Sequence, residues 1–206
     1  MSGLFGAGPQ RLLDDATGLV EYRADVLSPE LAQAWFETLH ANIPWRQQRR
    51  VMYERELDVP RLTASYRLDD PGLPPPLGEA AVLASREFGV AFNSVGLNLY
   101  RDRDDSVAPH NDRLGDLVAG HPIVLLSLGA TRRMRIQGKQ SRAKLELDLE
   151  PGSLLLMDYE SQKNYDHGIP KQRASVGARA AQTRCDESTR VHLGSSTSRE
   201  RVEPER

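Results

Sequence analysis

Apolar residues in this chain recur at helical spacing in its first half and at strand spacing in its second, and the changeover falls near Asn93. Ser28-Pro29-Glu30 reads as an N-cap, a first-turn proline and an early acid. The helix it opens places Leu31, Trp35 and Leu39 on one face, with Phe36 beside them, and stops before Pro44. A proline-rich turn at residues 71–76 leads to a second helix, in which Leu77, Ala81, Ala84 and Phe88 are spaced for a buried stripe. Beyond Asn93 the short apolar or alternating runs Val95–Tyr100, Ile123–Leu128, Met134–Gln137, Lys144–Leu149 and Ser153–Met157 read as strands, punctuated by Gly129, Gly138 and Pro151-Gly152. Ahead of the first helix only Leu19–Tyr22 reads as a strand, and the text from Trp45 to Tyr66 is irregular, with aromatics among arginines. Helices first and several short strands afterwards suggest the α+β class, with a jelly-roll or similar double-sheet core. Two N-terminal helices would pack against that core. Residues 186–206 are polar and charged, which predicts a disordered tail after a single domain at 1–185.

With 39% hydrophobic and 27% charged residues the chain has the composition of a soluble globular domain. No apolar run approaches membrane-spanning length, and the N-terminus lacks a basic region followed by a long apolar one. The lone cysteine, Cys185, excludes an internal disulfide framework and fits a reducing, cytoplasmic location. A net charge of −2 argues against a broadly basic coat. A nucleic-acid partner would therefore have to be met by a local basic patch.

The candidate chemistry lies at His110-Asn111-Asp112 and at His167. Residues two apart on an extended segment point to the same side, so His110 and Asp112 can aim an imidazole nitrogen and a carboxylate oxygen at one point. His167, from a distant stretch, would complete a two-histidine, one-carboxylate set. That set holds Fe(II) on one face and leaves the other open. His40 and His121 read as structural, Cys185 as no nucleophile, and Asp116 and the acids from Asp102 to Asp105 as solvated turn residues.

Around these residues stand Asn98-Leu99-Tyr100-Arg101, Asp105-Ser106-Val107, Pro122-Ile123-Val124 running to Ser127-Leu128-Gly129-Ala130-Thr131-Arg132, and Met157, Gln162, Tyr165 and His167-Gly168-Ile169-Pro170-Lys171. With Val59-Pro60-Arg61-Leu62-Thr63-Ala64 upstream, this order resembles the AlkB family of Fe(II)/2-oxoglutarate dioxygenases, over roughly Arg46 to Arg179. The resemblance implies a double-stranded β-helix (jelly-roll) core at 93–185, with iron on His110, Asp112 and His167. It implies 2-oxoglutarate held by Asn98, Tyr100, Arg179 and Arg184, and O2 as co-oxidant. The implied reaction is oxidative demethylation of N-alkylated nucleobases in DNA or RNA, releasing formaldehyde, succinate and CO2 by a monomeric enzyme.

Residues 45–70 would form the lid over a base flipped out of its stack. Tyr53, Tyr66 and Arg61 are the candidate base contacts. Arg46, Arg49, Arg50, Arg132, Arg133 and Arg135 are the candidate phosphate contacts. Two positions depart from the family pattern. Leu114 stands where an acid two residues after the aspartate ligand is usual, and Arg184 falls five residues after Arg179 rather than six. On a regular strand that spacing puts Arg184 on the opposite face. The competing readings are a 2-oxoglutarate oxygenase acting on a protein or small molecule, and a catalytically impaired jelly-roll binding module.

Overall fold

In the computed structural model, residues 8–52, 55–173 and 177–184 are described, without the side chains of 50–52, 55–57 and 180–184. The elements run β1 (Gln10–Asp15), β2 (Gly18–Arg23), α1 (Pro29–Asn42), β3 (Arg46–Met52), β4 (Arg55–Arg67), α2 (Pro75–Phe88), β5 (Ser94–Tyr100), β6 (Val107–His110) and a short 3-10 turn (Leu114–Asp116). Then follow β7 (Ile123–Leu126), β8 (Leu128–Gly129), β9 (Arg132–Gly138), β10 (Lys144–Leu149), β11 (Leu154–Met157), α3 (Tyr159–Asn164), β12 (Tyr165–Ile169) and β13 (Arg179–Arg184). One antiparallel sheet has the order β1-β2-β11-β7-β13-β5-β4-β3, with β8 joined to β13. A second, smaller one has the order β10-β9-β12-β6. The arrangement is compatible with a jelly roll. No described helix is long and apolar enough to cross a membrane.

Side-chain alternation explains the layering. In β7 and β11 every residue is apolar and buried, because both faces of these central strands are covered. Val124, Leu126, Leu154 and Leu156 face the helix layer, where they meet Ala32, Trp35 and Leu39 of α1 and Leu77 and Ala84 of α2. Ile123, Leu125, Leu155 and Met157 face the smaller sheet, against Met134, Ile136 and Leu149. Two burials of this extent, at roughly 25 cal/mol per Å² of apolar surface, outweigh any single polar contact in the molecule. Gly129 lies at φ +78, and a Cβ there would collide with the Ala178 carbonyl and the Phe36 ring. Glycine therefore lets α1 lie directly on β8.

Several expectations need correction. Leu31 is 42% exposed, and Ala32 takes the inward place beside Trp35 and Leu39. The stripe is centred on 32, 35, 39 and 43, which puts residue 31 on the helix flank. The stretch from Trp45 to Tyr66 is a hairpin, β3–β4, zipped from Arg46↔Thr63 to Met52↔Arg55 with one register shift. Arginines and glutamines hide it because an edge hairpin buries little apolar surface. β1, mostly exposed, likewise carries no apolar period. The larger sheet is not confined to 93–185, since β1 to β4 all join it. The expected tail and Cys185 lie outside the described residues.

Candidate metal and cosubstrate site

His110 ends β6 and His167 lies in β12, and the antiparallel register sets them directly opposite one another. Gly168 allows this approach, because a Cβ there would crowd the Val107 carbonyl and Pro109. The two imidazoles are 4.7 Å apart at their centroids, tilted by 49°. Ligand atoms of His110, Asp112 and His167 all lie within 4.8 Å of one another. His110 Nδ1 is 3.0 Å from the Ala108 carbonyl oxygen. Donation there fixes the tautomer and leaves Nε2 free to ligate. The Asp112 backbone N–H donates to Gln162 Oε1 at 3.2 Å, and Gln162 is 1% exposed. Gln162 comes from α3, which runs directly into β12, so one short segment holds both the acid ligand and the second histidine. Burial lowers the His167 pKa to about 4, with a smaller opposing pull from Asp112 and further lowering by His110 and Lys139. His167 is therefore a neutral imidazole at pH 7, the form that ligates.

The ligand cluster opens on a small, partly enclosed pocket. Its polar lining is Arg61, Asn98, Tyr100, the two histidines and Arg179, with Leu125, Met134 and Ile169 among the apolar walls. Arg179 is 2% exposed and donates from Nε to Ser127 Oγ at 3.2 Å. Burial brings its pKa down to about 10, and no described carboxylate pairs with it. A buried guanidinium without an anion is costly. Tyr100 packs beside it, its hydroxyl pushed up by burial. A buried cation, an amide and a phenol next to two imidazoles and an acid fit a small dicarboxylate chelated to a divalent metal.

A family model described as the 2OG-Fe(II) oxygenase superfamily matches residues 69–202. The chain belongs to that superfamily. Within it, the similarity is to AlkB homologues. The "Alpha-ketoglutarate-dependent dioxygenase alkB homolog 3" of Bos taurus is 30% identical over 161 residues, covering 68% of this chain and 56% of the relative. The Homo sapiens protein of the same name is 30% identical over 156 residues, covering 66% and 54%. The "DNA oxidative demethylase ALKBH2" of Bos taurus is 32% identical over 99 residues, covering 44% and 36%. The chain thus spans about half the length, or less, of these curated relatives. The histidine–aspartate–histidine cluster has the residue types and the spacing that could hold a metal ion of the kind this superfamily's description names.

The other expected site residues divide sharply. The β13–β5 ladder pairs Arg179 with Tyr100 and Arg184 with Ser94, with a register shift between Ala180 and Gln182. Across the shift, Ala181 alone stands against Leu97 and Asn98. That bulge restores parity, so Arg184 occupies a backbone position on the strand face shared by Arg179, not the opposite one. Its side chain, and all of Tyr53, lie outside the described residues. Arg61 borders the pocket and donates from Nε to Asn98 Oδ1 at 2.7 Å. Tyr66 borders a solvent-open groove that runs from β3 and β4 to His110 and Asp112, but its register partner is Val95 and it packs on the helix-side core. It is not on the face that carries Asn98 and Arg61, so stacking beside the histidines is not its place.

The candidate phosphate contacts mostly serve the fold. Arg132 is fully buried and donates to the Asp102 and Asp105 carbonyl oxygens, both at 2.6 Å. Arg133 and Arg135 lie on the outer face of the smaller sheet, paired across the strands with Asp148 at 2.9 Å and Glu146 at 2.7 Å. Arg49 pairs with Asp58 at 3.1 Å. The Arg50 side chain is outside the described ones, and of these six candidates Arg46 is the one whose described side chain lines the groove. Asp105 is not a solvated acid either. It is 4% exposed and takes both the side chain and the backbone N–H of Arg101, which ties down the loop leading to β6. Gln162 and Ser127 were legible only as motif letters, because a positioning role depends on which loops meet.

Proposed function

We propose that this oxygenase, built on a double-stranded β-helix core, oxidatively demethylates N-alkylated nucleobases in DNA or RNA. The observation that carries the reading is that His110, Arg61 and Asn98 border two spaces at once. One is the interior pocket. The other is a broad solvent-open groove, walled by the start of β3 and by β4. A small cosubstrate and a large substrate can thus approach one metal from different sides. One of the relatives is a DNA oxidative demethylase, which supports the choice of nucleic acid.

Bound iron supplies the activation of O2, coupled to conversion of 2-oxoglutarate to succinate and CO2, that oxidises an N-methyl group to a hydroxymethyl group, which leaves as formaldehyde. The protein's own work is placement. His110, Asp112 and His167 hold the metal on one side. Arg179, with Arg184, Asn98 and Tyr100, binds and orients the dicarboxylate through charge-assisted hydrogen bonds in a partly dry pocket. The hairpin walls the groove that receives the base, and Arg46 meets the backbone phosphate. Formaldehyde release and 2-oxoglutarate consumption, measured with methylated oligonucleotides, test this. Consumption of 2-oxoglutarate with a peptide or small molecule, and no formaldehyde from any methylated oligonucleotide, would show a different substrate class.

A further inference from the structure

α3 has only 6 residues, too few to hold a helical shape in isolation. Its position nevertheless bears on two of the three candidate metal ligands. The Gln162 side chain holds the Asp112 backbone, and the helix runs directly into β12 and His167. Whatever keeps α3 in place is therefore part of the site. At its start Asp158 accepts from the Ser161 N–H at 2.7 Å, and the Asp158 N–H donates to the Leu19 carbonyl oxygen at 3.0 Å. On its flank Asn164 Nδ2 donates to the Thr17 carbonyl oxygen at 3.0 Å. At its end the last carbonyls have no further turn to satisfy them, and Lys139 takes that place. Lys139 Nζ donates to the carbonyl oxygens of Gln162 at 2.9 Å and Lys163 at 3.0 Å. Its backbone N–H donates to the Asn164 carbonyl oxygen at 2.8 Å. Lys139 is the first residue beyond β9, so the strand that pairs with β12 also closes the end of α3.

The charge of Lys139 acts in the other direction. The ammonium lies 3.8 Å from the Asp166 carboxylate, and its field reaches His167. A cation so placed can only disfavour a divalent metal. As a charge Lys139 opposes the metal, and as a donor to α3 it favours it, so the two roles predict opposite signs. Resting on the metal reading of His110, Asp112 and His167, we propose that Lys139 is a positioning residue of the metal centre. By fixing the Gln162 main chain it sets where the Gln162 side chain holds Asp112.

Co(II) titration of the full chain, with urea unfolding alongside, tests this without turnover. Lys139→Met should weaken Co(II) binding by roughly 3- to 10-fold, less than the loss of Gln162 itself, which lies one contact nearer the metal. In a Gln162→Leu background the same substitution should change affinity by less than about twofold, because the path it acts through is already cut. Lys163→Met removes the other ammonium at this end of α3, whose partners are Glu160 at 2.6 Å and the Tyr159 ring, and should leave Co(II) affinity as in the wild type. Lys139→Gln, too short to bridge both carbonyls, carries the same expectations if Lys139→Met does not fold. Unchanged or tighter Co(II) binding by a folded Lys139 variant reduces the residue to its charge or to stability and overturns the proposal, while leaving the metal reading standing. Losses that add in the double variant overturn it as well. A wild-type chain that gives no Co(II) bands overturns the metal reading and this inference with it.

Discussion

Arg179→Met separates a residue that serves the fold from one that waits for an anion. In the pocket the Arg179 guanidinium has one described hydrogen bond, to Ser127 Oγ, and is 2% exposed. Burial holds its pKa at about 10 against 12.5 for the free side chain, which corresponds to about 3 kcal/mol against the charged form. Replacing it with methionine removes that penalty and forfeits one hydrogen bond, about 1 kcal/mol. Without 2-oxoglutarate the variant should therefore be as stable as the wild type, or up to about 2 kcal/mol more stable. With cosubstrate the order reverses. Ligand at a hundred times its Kd stabilises the wild type by about 2.7 kcal/mol. Loss of two charge-assisted bonds, about 3 kcal/mol or more, raises Kd over a hundredfold and shrinks that gain to below about 0.5 kcal/mol. The assay is urea unfolding with redox-silent Mn(II), with and without 2-oxoglutarate. A variant that loses more than about 2 kcal/mol in the absence of ligand yet keeps the wild-type response to it would refute the reasoning.

Three further outcomes follow from the same geometry. His110→Ala and Asp112→Ala should each abolish the visible bands of bound Co(II) and all succinate formation; a normal Co(II) spectrum in either variant would remove the metal assignment. Gln162→Leu should weaken metal binding by roughly 10- to 100-fold, because the Asp112 backbone loses its buried acceptor, and unchanged affinity by titration would reduce Gln162 to packing. His167 carries a folded pKa of about 4, below its ordinary 6.5. The unfolded chain then binds a proton that the folded one refuses, so this contribution is intact above pH 6.5, falls as pH drops through that value, and is lost by about pH 4. It amounts to about 3 kcal/mol in the metal-free protein. The stability difference between wild type and His167→Asn should shrink over that window, and a pH-independent difference would count against the buried neutral imidazole.

Some of this protein could be read without coordinates. The cap at Ser28, whose side chain accepts from the Leu31 N–H at 3.3 Å, was visible because capping is local. So were the runs that became β7 and β11, since a strand covered on both faces must be apolar throughout. The candidate metal ligands were legible because the H-x-D spacing is a local device and the surrounding words resemble a family. The β3–β4 hairpin was not, since an edge strand rich in arginine and glutamine leaves no apolar period. The roles of the arginines were equally hidden. Arg132, Arg133 and Arg135 are near neighbours with one charge each, yet one is a buried staple for the Asp102 and Asp105 carbonyls and two are outward partners of Asp148 and Glu146.

The sequence by itself determined the two long helices, the apolar strands after Asn93, the three candidate metal ligands and the family likeness, all of which depend on residues close in the chain or on recognisable order. Only the tertiary structure decided what each charge faces and whether Arg184 shares the face of Arg179, because a bulge between β5 and β13 reverses the parity that counting along a strand assigns. Burial and register are properties of what lies opposite, and what lies opposite is set by pairing between distant segments.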